Sequence, residues 1–181
     1  PIRYHETRGD NAVIDLFERI RSGETTLRYN RQHGHLRSIL AELEIPVSSQ
    51  VLVFSKTSLQ AGRISPRNPR AIYFNDEVFV GWVRGSPLLE IATADPKLGA
   101  VFYTIRMYSD RPILRRENNA CLACHEKTLT GGRIPEHIVR SVMTRRSGKI
   151  NLLLDEFETD HSSPFEQRWG GWYVTGRHGH I

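Results

Sequence analysis

The chain has 181 residues, 39% hydrophobic and 25% charged, the balance of an ordinary globular domain with room for a sizeable core. No apolar run reaches the roughly 18 residues that a membrane-spanning helix needs. The formal net charge of +5 favours acidic protein partners or an anionic membrane face. Nucleic acid is disfavoured, because the arginines are scattered and no recognition motif accompanies them.

In chain order, Asn11 to Glu24 reads as an amphipathic helix. Asp10 or Asn11 caps it, Val13, Ile14, Phe17 and Ile20 fall at helical spacing, and Gly23 ends it. A second helix is predicted from Arg31 to Glu44, with Leu36, Ile39, Leu40 and Leu43 on one face and Pro46 as its stop. His33 and His35 are expected as surface histidines of its first turn. The middle of the chain reads as β. Val51 to Phe54 is a short apolar run, and Gln60 to Arg70 is an extended basic loop with Gly62, Pro66 and Pro69. Ala71 to Phe74 and Val78 to Val83 form one predicted hairpin, and Leu88 to Thr93 and Ala100 to Ile105 another. Val78, Val80 and Trp82 alternate as if on one buried face. Four or five successive strands joined by short turns argue for an antiparallel sheet. Helices before and after them make the class α+β. We expect one domain over residues 1–181, with a helical part (1–48), a sheet (49–107) and a third part (108–181).

The third part begins with a polar connection, Tyr108 to Asn119, and then reads Cys121-Leu122-Ala123-Cys124-His125. This is C-x-x-C-H, the attachment pattern of a c-type haem. On one helical turn, residues three apart share a face. Both sulfurs then reach the two vinyl groups on one porphyrin edge, and the adjoining imidazole reaches the iron. Zinc would need four ligands, usually from two such pairs, and the chain has only 2 Cys. Completion of that set by histidines is the metal alternative. A thioredoxin-like pair would sit beside a βαβ pattern, which is absent from the sequence. One covalent haem c is therefore the expected cofactor. Because haem c is attached outside the cytoplasm, a periplasmic or otherwise exported location is expected. The chain opens on Pro1 without a leader of its own, as if one had been removed or a longer protein trimmed. After the motif, Pro135 suits the start of a short helix, Glu136 to Met143, and Lys149 to Leu154 reads as a strand.

Several segments together resemble a family of exported bacterial cytochrome c domain-containing proteins. They are Arg70-Ala71-Ile72-Tyr73-Phe74-Asn75-Asp76, Leu98-Gly99-Ala100-Val101-Phe102-Tyr103-Thr104, the C-x-x-C-H motif, and Asp160-His161-Ser162-Ser163-Pro164. Arg168-Trp169-Gly170-Gly171-Trp172-Tyr173-Val174-Thr175-Gly176 follows. The resemblance covers residues 50–180 and implies export and haem. A fainter similarity, to haem-c sensor domains of PAS-like fold, rests on Phe102-Tyr103 in a strand followed by C-L-x-C-H.

The sixth iron position decides the chemistry, since a strong second ligand makes an electron carrier and an open position a sensor or a peroxidase-like catalyst. His161 and His178, in the resembling segments, are the leading distal candidates. Met107, Met143, His137 and His180 are the others. Trp169, Trp172 and Tyr173 are candidates to wall the porphyrin, and Gly170 and Gly171 to let the backbone approach it. Arg115, Arg116 and Arg133 are candidates to pair with the propionates. The expected function is single-electron transfer by a monohaem protein, steered to an acidic redox partner or held in a larger redox complex. A haem-based gas or redox sensor is the alternative. A peroxidase ranks last, because no distal acid–base pair can be assembled.

Overall fold

The structure is a computed structural model that describes residues 3–125, 135–137, 139–151, 153, 156–159 and 162–164. Helix α1 (Ala12–Ser22) starts where Asn11 accepts the Ile14 amide on its side-chain oxygen, at 3.2 Å, and stops at Gly23, whose φ of 82° ends the turn. Helix α2 is Leu36–Glu42, shorter than the predicted Arg31 to Glu44. Its expected first turn is a tight loop instead, closed by two backbone bonds between Asn30 and Gly34 at 2.9 and 2.7 Å. Gly34 makes that loop possible, with a φ of 59° and its α-carbon against Met107.

The sheet has six antiparallel strands in consecutive order: β1 (Val51–Val53), β2 (Arg70–Phe74), β3 (Val78–Val83), β4 (Leu88–Asp95), β5 (Gly99–Met107) and β6 (Pro112–Arg116). Both predicted hairpins are present, and Val78, Val80 and Trp82 are buried as their alternation required. The class is α+β. Strand β6 lies inside the stretch read as a polar connection. Its alternation of Ile113 and Arg115 against Leu114 and Arg116 carries little apolar signal, and pairing with β5 makes it a strand.

Strand pleating gives the sheet two faces. Tyr73, Val80, Trp82, Leu89, Ile91, Tyr103 and Ile105 share one face, which packs on Val13 and Leu16 of α1 and Leu36, Ile39 and Leu40 of α2. His35 belongs to this core and is 2% exposed, contrary to the expected surface position. Its Nε2 lies 2.9 Å from the Tyr108 carbonyl oxygen. The other face carries Phe74, Phe79, Ala92 and Phe102 in one cross-strand row. The next row holds Glu90, which accepts from Ser58 Oγ (2.8 Å), the Leu59 amide (2.7 Å) and Gln60 Nε2 (3.1 Å) and faces Arg70. That carboxylate anchors the loop before β2.

The remaining described elements are α3 (Leu122–His125) and the pair β7 (Val139–Val142) and β8 (Glu156–Thr159). Within the stretch predicted as a helix from Glu136 to Met143, Val139–Val142 is thus a strand. Its β-branched residues pair with a distant segment, and that pairing outweighs the local helical periodicity. The predicted strand from Lys149 to Leu154 is reduced to a single bridge between Thr144 and Ile150 in the described residues. The Ala100 amide donates to the Pro135 carbonyl at 2.8 Å, and the Lys56 amide to the Gly148 carbonyl at 2.8 Å. Pro135 is therefore fastened to β5, and Gly148 to the chain just after β1.

Candidate haem-attachment site

The site begins with α3. The Cys121 carbonyl accepts both the Cys124 and the His125 amides, each at 3.1 Å, so Cys121 starts a single turn. Leu122, 6% exposed, anchors that turn in the core. Cys121 is half-buried and Cys124 is exposed, and neither is in a disulfide. Burial, followed by the charges of Glu117, Glu90 and Cys124, pushes the Cys121 thiol up to about 12. The thiol is therefore protonated at neutral pH.

The His125 imidazole rests on Phe102, with ring centroids 4.5 Å apart and an interplanar angle of 40°. Its Nδ1 lies 3.0 Å from the Glu136 carbonyl oxygen. A carbonyl only accepts, so Nδ1 carries the proton and Nε2 carries the lone pair that a metal takes. Ligating histidines commonly hold their second nitrogen in this way. The Glu136 amide returns to the His125 carbonyl at 3.1 Å, so residues 125 and 136 are bonded at two points.

His137, next in the chain, is exposed as a residue, yet its ring lies edge-on to Phe79 (5.3 Å) and Phe102 (6.3 Å). Desolvation against these rings and the nearby His125 lower its pKa, opposed by a hydrogen bond with the Thr93 main chain.

The arginines separate by strand parity. Arg116 shares the helix face with Tyr103, donates to the Tyr4 and Thr7 carbonyls at 2.7 Å each, and sits over the Tyr4 ring. The two terminal nitrogens of Arg116, a residue expected to pair with a propionate, fasten the N-terminal segment here. Arg115 points to the outer face and is exposed. With Arg106, Leu59, Leu88 and Ile113 it lines an open groove of about 310 Å³, bordered by Thr104 and Glu117. Arg106 escaped the sequence reading, although its parity with Thr104 on β5 was a usable signal. Met107 is buried on the helix face, where its Sδ receives the His35 amide at 3.3 Å. Met143 is exposed beyond β7. Arg133, His161, Trp169, Gly170, Gly171, Trp172, Tyr173, His178 and His180 lie outside the described residues.

Among the described residues no three His, Cys, Asp or Glu side chains form a metal-holding group, and no helix is long and apolar enough to cross a membrane. No family model, curated protein or solved structure matches the chain.

Proposed function

We propose that the chain carries one covalent haem c and passes single electrons to or from a protein partner outside the cytoplasm. The observation that carries this reading is the His125 Nδ1 contact with the Glu136 carbonyl within a C-x-x-C-H turn. That contact presets the tautomer with Nε2 as the ligating nitrogen. Cys121 and Cys124 would supply the thioethers and His125 the axial nitrogen. The haem, once bound, supplies a one-electron couple at its iron.

The chain's own residues do the rest. Leu122 fixes the turn to the core, and Phe102 supports the imidazole and limits its rotation. Arg106 and Arg115 offer guanidinium groups on the same sheet face, suited to the carboxylates of propionates. The positive net charge favours encounter with an acidic redox partner. Membership of the exported cytochrome c domain family belongs to this proposal. So does the PAS-like comparison, which rests on motif order alone, the sheet here being a consecutive meander.

The test is mass spectrometry and an optical spectrum of the chain produced with a c-type haem maturation system. Expected are an added haem mass that survives acid extraction and a low-spin spectrum unaltered by carbon monoxide. An unmodified mass, or zinc bound at the motif, sinks the proposal. A five-coordinate ferrous iron that takes up carbon monoxide at once favours the sensor instead.

A further inference from the structure

We propose that His137 is the second axial ligand of the haem iron. This deepens the haem reading and rests on it.

The sheet presents a row of side chains in which a small residue, Ala92 on β4, stands between Phe79 on β3 and Phe102 on β5. Strands two apart are roughly 10 Å apart. Two phenylalanines flanking an alanine thus leave a slot about one aromatic ring wide. The His137 ring meets both phenylalanines edge-on, at interplanar angles of 74° and 75°. Packing against two rings restricts its orientation, as a ligand's second shell does.

Chain geometry then brings this imidazole to the haem motif. The two bonds between His125 and Glu136 set His137 one residue away from the proximal histidine's own partner. Both imidazoles touch the same ring, Phe102.

The other described candidates lie elsewhere. His33 packs edge-on to Trp82, and His35 and Met107 touch each other, all against the helix face of the sheet. His5 packs on Tyr4. Among the described residues, His137 is the one further histidine on the face that carries His125. A second imidazole is a strong-field ligand, so this assignment selects electron transfer over ligand sensing.

The full haem-loaded chain is compared with its H137A, H137G and H137M forms by electron paramagnetic resonance, optical spectroscopy and carbon monoxide binding. The wild type is expected to be low-spin with two imidazole ligands. H137A and H137G should turn high-spin and bind carbon monoxide rapidly, while keeping the covalent haem mass and the wild-type circular dichroism. Added imidazole should return H137G to low spin, a rescue that a purely structural role would not permit. H137M should stay low-spin with a raised reduction potential. The assignment is overturned by a high-spin wild type, by an H137A spectrum like that of the wild type, or by loss of the low-spin signal in H161A or H178A instead. A wild-type chain with no covalent haem overturns the haem reading itself, and the mass separates that outcome from the others.

Discussion

Nδ1 of His125 lies 3.0 Å from the carbonyl oxygen of Glu136, and the Glu136 amide donates back to the His125 carbonyl at 3.1 Å. This reciprocal pair ties His125 and Glu136 together at two points and holds the imidazole against the Glu136 backbone. A proton shared toward a carbonyl makes the opposite nitrogen a stronger donor to a metal. Replacing Glu136 with proline removes the amide donor and disturbs that contact. The Glu136→Pro chain is expected to lose about 1 kcal/mol of stability. Its reduction potential should rise, because a less basic imidazole favours the ferric state less. Redox titration beside urea denaturation checks both, and an unchanged potential contradicts the role given to this contact.

Phe102 supports both imidazoles while itself 4% exposed. Phe102→Ala should cost roughly 3–5 kcal/mol through lost burial and the cavity left behind. Phe102→Leu fills most of that space and should cost much less while still removing the flat surface under His125. A low-spin signal broadened in the leucine form, at near-normal stability, would separate positioning from packing.

Asn11 links three parts of the fold. Its oxygen caps α1, and its Nδ2 donates to Asp95 Oδ2 (2.9 Å) and Tyr103 Oη (3.1 Å). Asn11→Ala should destabilise by about 1–3 kcal/mol, combining a lost cap with a weakened buried network. Asn11→Asp preserves the cap but sets one carboxylate against another. At neutral pH it should be no more stable than the alanine form, as read from urea midpoints.

Asp95 is 5% exposed. Burial alone would raise its pKa, but donors from Asn11 and from the amides of Asp10, Lys97 and Leu98 outweigh burial and hold the carboxyl below its ordinary value. In acid the unfolded chain therefore takes up this proton before the folded one does. The contribution is complete above the unfolded value of about 4 and disappears as pH falls through the folded value. Urea midpoints should fall on acidification, and Asp95→Asn should flatten that dependence while lowering stability at neutral pH. An unchanged acid slope in the asparagine form would contradict this account.

Gly34 has a left-handed φ, and a Cβ there would come within 2.7 Å of Met107 Sδ. Gly34→Ala combines backbone strain with overpacking and should cost about 1–3 kcal/mol. Adding Met107→Ala opens space and should recover part of that loss, which a double-mutant comparison measures.

The sequence alone was enough for whatever depends on near neighbours. A cap at Asp10 or Asn11, the Gly23 stop, the two hairpins and the turn bearing Cys121, Cys124 and His125 all follow from residues a few positions apart, and the structure settled the cap on Asn11. Tertiary structure decided what depends on register. Strand β6 exists because β5 offers it a partner, and β7 is a strand because a distant segment pairs with it. Adjacent residues Arg115 and Arg116 go to opposite faces, so one lines the groove and the other secures the N-terminal segment. His137 gains its place from an alanine set between two phenylalanines on three different strands. Such a slot comes from strand pairing, and no spacing within the chain encodes it.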